Sequence, residues 1–297
     1  MKRVLASIGR IVLVMAVYYA AQLAIAVMAG VAFGVYNGFS GFDLQTQDVL
    51  RFIASRTPQL ILFAAIIAAA CYYVIYRDRR EDARAFFRIR PLDAGAVIML
   101  VFFGIGTNAL MELLVMLMQK LPFYADHYEE YVEMTSMIFG DSVFFTFLSA
   151  GVVGPILEEI MFRGLIFGEL RKIMPIKIAL VVQALLFGVY HIDLIQGTYA
   201  AIIGLFLGFV YYRTGSMIAP TVVHMAVNLF SFVMNAFFPA PVVEANWGLI
   251  LLVGVLCFIL SGVYILISRN FRYVMDDGLY RHARRQDADP AGTSRQV

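Results

Sequence analysis

Apolar residues in this chain come in long, nearly unbroken runs bounded by charge, at 11–36, 57–76, 94–118, 142–167, 178–195, 198–212, 217–238 and 247–268. Most approach the roughly 20 residues that a helix needs to cross about 30 Å of hydrocarbon, and none shows the short alternating pattern of a membrane barrel strand. The runs therefore predict an all-α polytopic membrane protein of about eight transmembrane helices. The fifth and sixth are separated only by Asp193 to Thr198 and the sixth is short, which leaves room for one of the two to be a partial span.

The charges test this segmentation independently, because cytoplasmic loops of membrane proteins hold the excess of Lys and Arg. With the N-terminus placed inside, twenty of the 23 basic residues fall on the inner side, and only Arg51, Arg56 and Lys120 fall outside. That asymmetry predicts an even number of crossings and cytoplasmic termini, in a cell or inner membrane. The composition agrees: 61% of residues are hydrophobic, 15% are charged and the mean hydropathy is +0.79. A net charge of only +2, spread between apolar runs, gives no nucleic-acid surface. The lipid bilayer is the expected partner, and the sequence is silent on oligomeric state.

Smaller features add little chemistry. Cys71 and Cys257 each stand alone in an apolar run and read as small buried side chains. The run after Lys2, Arg3 and Arg10 is too long for a secretory signal, and neither end carries a lipidation motif. The stretch from Tyr124 to Asp141 reads as a solvated acidic loop, with a cation site around His127 as the less favoured alternative. A basic tail after Arg269 turns polar near Pro290. There is no visible internal repeat. Segments 1–141 (first three helices), 142–238 (a core of four helices) and 239–297 (last helix and tail) are treated as one membrane domain.

Ionisable groups at membrane depth cost on the order of 2.5–3.5 kcal/mol each, so they demand pairing, a wet cavity or a function. The fourth run holds Glu158, Glu159 and Arg163. On a helix Glu159 and Arg163 share a face in the order that favours an ion pair, while Glu158 points about 100° away and faces something else. His191 lies in the fifth run one turn after Phe187, and His224 lies in the seventh one turn before Asn228. Either histidine alone reads equally well as an interhelical packing group. Together, three helices can converge on an intramembrane polar chamber. A carboxylate and an imidazole can activate a shared water, and a second imidazole with a carboxamide can donate to a developing oxyanion. Glu158 with His191 and His224 with Asn228 are the expected catalytic pairs, with Glu159, Arg163 and Phe187 in support. Asn108 and Glu112 could line the same chamber, though interhelical polar packing is the simpler expectation. Gly164 with Gly168, and Gly204 with Gly208, read as close-packing faces.

The ordered set Glu158-Glu159-x-x-x-Arg163, Phe187-x-x-x-His191 and His224-x-x-x-Asn228 resembles the CAAX-protease and bacteriocin-processing family, also called the type II CAAX prenyl endopeptidase-like or ABI family. Phe162-Arg163-Gly164, Thr214-Gly215-Ser216 and Pro220 agree with its usual context, and the likeness covers about 142–231. The resemblance implies an eight-helix intramembrane endopeptidase, open toward the cytoplasm and acting on a membrane-associated peptide or protein, lipidated or not. It carries the catalytic roles onto Glu158, His191, His224 and Asn228. Counting from the predicted span ends, however, puts His191 about 10 Å deeper than Glu158, a mismatch that the span boundaries or a reentrant segment near Arg171 to Lys177 must absorb.

Two alternatives stay open. Glu158, His191 and His224 also form the His₂Glu ligand count of a catalytic zinc site. The compact His-Glu-x-x-His helix of zinc peptidases is missing, so no cofactor is favoured and zinc is the alternative. A noncatalytic scaffold or immunity protein, or less readily a proton-coupled transporter, would also hold buried charges; the transporter should show a repeat and interrupted helices in both halves.

Overall fold

A computed structural model describes residues 2–39, 45–76, 88–139 and 142–271, with Met275, Gly278 and Arg281. Arg77, Arg79, Arg80 and Arg84 of the second basic segment, Asp141, and most of the tail lie outside the described residues. The chain is a helical membrane bundle. Its principal helices are α1 (Lys2–Phe39), α2 (Thr46–Ser55), α3 (Thr57–Tyr76), α4 (Ala94–Met118), α5 (Tyr128–Phe139), α6 (Val143–Ile173), α7 (Ile176–Tyr190), α8 (Leu194–Thr214), α9 (Ile218–Phe237) and α10 (Trp247–Ile267). Among the described residues, seven of these are long and apolar enough to cross a membrane: α1, α3, α4, α6, α8, α9 and α10.

The predicted eighth span is α7, which at 15 residues is about 22 Å long and falls short of the hydrocarbon thickness. The short member of the pair is thus the fifth run, and the sixth is a full 21-residue helix. Backbone chemistry sets that boundary. Ile192 adopts φ 62°, the left-handed region that a β-branched residue avoids, and this ends α7. The Asp193 side chain then caps α8, accepting from the Gln196 N–H at 2.6 Å.

At the other end, α6 runs to Ile173, beyond the predicted limit at 167, and α7 restarts at Ile176. Glu158 stands fifteen residues before Ile173 and His191 fifteen after Ile176, so both lie about 22 Å from the turn at Met174 and Pro175. The expected 10 Å mismatch disappears without a reentrant segment.

Small residues let the helices approach. A Cβ on Gly204 would sit 3.1 Å from the Phe187 ring and one on Gly208 would sit 2.5 Å from Gln183 Nε2, which fits α7 and α8 packed closely along their length. A Cβ on Gly168 would meet nothing within 4 Å, so the expected Gly164 and Gly168 packing face is not formed at Gly168. Cys71 and Cys257 are half-buried and unpaired.

The bundle has two chemically different ends. At one, Glu169 is buried and accepts from Ser7, Arg10 and Lys172 at 3.1, 2.9 and 2.7 Å, tying α1 to α6. At the same end Ser216 Oγ donates to the Arg90 carbonyl at 2.7 Å and Arg213 donates to the Leu266 carbonyl at 2.9 Å. At the other, Tyr124 bonds Thr198 across 3.4 Å and the Tyr131 ring lies 6.3 Å from that of Tyr199, seating α5 on the start of α8. The acidic residues Glu129, Glu130 and Glu133 project from α5 there, exposed as a solvated face. His127 bonds the Phe123 carbonyl at 3.1 Å.

Candidate active site

Helix α6 carries the two glutamates in an unusual setting. Residues Gly154–Glu159 are α-helical, while the segments on either side, Phe147–Val153 and Ile160–Ile166, are π-helical. Such wide turns recur at functional sites because they rotate the side chains that follow. Pro155 explains part of the first one. In a π turn its missing N–H would have reached the Ala150 carbonyl, and Asn228 of α9 fills that role, its Nδ2 donating to Ala150 O at 2.8 Å. The proline thus leaves an acceptor that fixes the carboxamide and still leaves it one N–H.

The adjacent glutamates divide as helical phase requires. Glu159 is fully buried, and its Oε1 accepts from Arg163 Nη1 at 2.8 Å and lies 2.9 Å from His224 Nδ1. Glu158 is partly exposed, at 17%, and its Oε2 lies 3.6 Å from the other nitrogen of the same ring, His224 Nε2. The Glu159–Arg163 ion pair expected from helical phase is present, and the same Oε1 also reaches His224, a contact the sequence did not anticipate.

Arg163 is 1% exposed. Its Nη2 donates to the Gly204 carbonyl at 3.1 Å, which also accepts from Gln183 Nε2 at 2.9 Å. Its guanidinium lies 4.9 Å over the Phe187 ring. That ring also packs edge-on against His191, at 4.8 Å between centroids, and against His224, at 5.7 Å. The Phe187 carbonyl in turn takes a hydrogen bond from His191 Nδ1 at 2.7 Å.

These bonds decide which ring nitrogens carry protons. A carbonyl only accepts, so His191 Nδ1 carries the proton and Nε2 keeps its lone pair. His224 Nδ1 donates to the Glu159 carboxylate, which leaves Nε2 toward Glu158.

Glu158, Phe187, His191, His224 and Asn228 line one cavity of about 400 Å³, and Glu159 and Arg163 stand behind it. The sequence missed its remaining walls. Tyr18, Tyr19 and Gln22 of α1 and Tyr190 of α7 also line it. Tyr190 Oη is buried and has no hydrogen-bond partner among the described residues, and Tyr19 donates to the Tyr190 carbonyl. The aromatic pair next to the basic N-terminal segment and the tyrosine before His191 were the available signals. Asn108 and Glu112 line a different cavity, of about 280 Å³, with Asn235, Glu244 and Trp247; Ser231 borders both.

A zinc ion would need Glu158, His191 and His224 at mutual ligand spacing. Among the described residues no three His, Cys, Asp or Glu side chains stand together at metal-ligand spacing.

Residues 140–230 match the family described as type II CAAX prenyl endopeptidase Rce1-like. The chain is 35% identical over 86 residues to the Bacillus subtilis protein named "Putative membrane peptidase YdiL", covering 29% of this chain and 35% of that one. It is 30% identical over 110 residues to the Staphylococcus aureus protein named "Membrane-embedded CAAX protease MroQ", covering 35% of this chain and 44% of that one. The matched stretches span less than half the length of either relative. No solved structure matches. The family resemblance carried by the three motifs therefore holds for the segment that contains all seven site residues.

Proposed function

We propose that this protein is an intramembrane endopeptidase that hydrolyses a peptide bond of a membrane-associated substrate without a metal. The observation that carries the reading is the convergence of Glu158, His191, His224 and Asn228 on one cavity, with both imidazoles fixed at Nδ1 by acceptors behind them. The match over residues 140–230 supports it.

In this mechanism a water hydrogen-bonds to Glu158 and to the lone pair of His191 Nε2. Glu158 takes its proton as the oxygen attacks the scissile carbonyl. The oxyanion forms against the protonated Nε2 of His224 and the second N–H of Asn228. Glu159 lies behind His224 and accepts from its Nδ1, orienting the ring as a buried carboxylate orients a catalytic imidazole. When the tetrahedral intermediate collapses, Glu158 returns the proton to the leaving amine and the carbon–nitrogen bond breaks.

The test is cleavage of prenylated and unprenylated peptide panels by purified protein in detergent. Glu158→Gln should abolish cleavage while leaving thermal unfolding unchanged, and a zinc chelator should leave the wild-type rate unchanged. Undiminished cleavage by Glu158→Gln would sink the assignment, and loss of activity on chelation, restored by zinc, would replace the metal-free route.

A further inference from the structure

The cavity of about 280 Å³ beside the catalytic chamber takes no part in the hydrolysis, yet it holds groups that packing in lipid does not call for. Glu112 lies within the crossing helix α4, where a carboxylate is costly and is kept for a partner or a function. Its side chain is accessible rather than packed. Asn108 stands one turn before it, is only 7% exposed and lines the same cavity. Among the described residues neither side chain has a hydrogen bond or an ion pair, so the interhelical polar packing expected of them is not formed. A buried carboxamide ordinarily has a partner, and here the cavity is where one would sit.

The other walls define the chemistry of that partner. Glu244, on the connection before α10, adds a second carboxylate, and among the described residues no Lys, Arg or His lines the cavity. A ligand must therefore bring the positive charge. Trp247, at the start of α10, supplies an indole, the side chain that attracts organic cations most strongly. Phe230, Met234 and Ile250 complete an apolar side that suits a hydrocarbon stem. A primary ammonium carries three N–H donors, which match the acceptors on Glu112, Asn108 and Glu244. We propose that this cavity binds a primary alkylammonium group and, on the endopeptidase reading above, the lysine side chain of a peptide whose scissile bond lies in the catalytic chamber. Ser231 carries the second step, because it borders both cavities and its carbonyl accepts from Asn235 Nδ2 at 2.9 Å. Helix α9 is thus a common wall, with Asn228 on the chamber and Asn235 two turns on in the second cavity.

Trp247 is the single tryptophan of the chain, so its emission reports on the cavity without any assumption about catalysis. Purified full-length protein in an uncharged detergent is titrated with n-butylammonium chloride, with 1-butanol and with sodium chloride. Butylammonium should change the emission saturably, and the other two should not. In Glu112→Gln the apparent Kd should rise at least about tenfold, the loss expected when a charge-assisted hydrogen bond is removed. Glu244→Gln serves in its place if that variant does not accumulate. No saturable response, an equal response to butanol or sodium chloride, or an unchanged Kd in the variant overturns the site.

A second arm offers quenched peptides that carry, at each position flanking the cleaved bond, either lysine or norleucine, which lacks only the ammonium group. At one position kcat/KM should favour lysine at least about tenfold, and the preference should fall to about one in Glu112→Gln. Cleavage without any preference for lysine overturns the substrate assignment while leaving the endopeptidase reading intact. Cleavage of no peptide, with saturable binding of butylammonium, rejects the endopeptidase reading and supports the ammonium site.

Discussion

Removing one member of the Glu159–Arg163 pair should destabilise the bundle far more than removing both. Arg163→Met keeps the length and bulk of the side chain but deletes the Nη1 bond to Glu159 at 2.8 Å and the 4.9 Å contact over Phe187. Breaking a buried ion pair costs roughly 3–5 kcal/mol, because the surviving charge stays desolvated. Loss of the cation–π contact adds on the order of 1 kcal/mol. The Gly204 carbonyl contributes little to this loss, since Gln183 still donates to it at 2.9 Å. Glu159→Gln alone strands the guanidinium, 1% exposed, at a similar cost. In the double variant neither member of the Glu159–Arg163 pair is left to stand desolvated, and His224 Nδ1 still has a neutral oxygen to donate to. The two changes should therefore be coupled by about 3 kcal/mol, measured as a double-mutant cycle by SDS-induced unfolding in mixed micelles. The recovered stability should not bring activity with it, because His224 loses the carboxylate that orients its ring: turnover should stay at least about 10²-fold down. A coupling below about 0.5 kcal/mol would refute the reasoning, since distant, independent sites show as much.

Three further outcomes follow from single atoms. Tyr190→Phe deletes a buried hydroxyl that has no partner, so stability should hold or rise by up to about 1 kcal/mol, while kcat/KM falls about tenfold if that hydroxyl meets the substrate; an unchanged kcat/KM removes Tyr190 from substrate binding. Ile192→Gly relieves a left-handed β-branched residue at φ 62°, worth about 1–2 kcal/mol against the roughly 0.5–1 kcal/mol entropic cost of glycine, so the melting temperature should rise slightly; a drop would show that the side chain packs. Asn228→Leu should cost about 1–3 kcal/mol by orphaning the Ala150 carbonyl, and adding Pro155→Ala should recover part of it by supplying the missing N–H; no recovery in the same unfolding assay would break the link between the proline and the carboxamide.

The sequence made the membrane class and the spans legible because hydrophobic length is a direct physical requirement of the bilayer. Helical phase likewise separated Glu158 from Glu159 before any coordinates. Depth was less legible, because it depends on where helices stop. The end of α7 is set by the left-handed backbone of Ile192, which no propensity would assign to isoleucine. The π-helical segments around the glutamates were equally hidden: one proline reads as a kink, and only the neighbouring helix shows that Asn228 takes up the freed carbonyl. The tyrosines of α1 escaped for a different reason. They lie more than a hundred residues from the motifs, in a run whose apolar character was already explained by lipid.

The short α7 links these points. A helix of ordinary length would carry its C-terminal histidine to the membrane surface, where water is plentiful and its orientation would be averaged. Stopping at Tyr190 leaves His191 recessed, with Nδ1 held by the Phe187 carbonyl one turn back. The same turn places that ring against Arg163 and His224, so one aromatic supports the basic members of the site while its backbone fixes the tautomer of the third. The Phe-x-x-x-His spacing fits helix geometry: four residues on, a side chain lies over the preceding turn, within reach of both the ring and the carbonyl there. A histidine moved one position along α7 would turn about 100° away from this arrangement, even though the composition of the cavity would be unchanged.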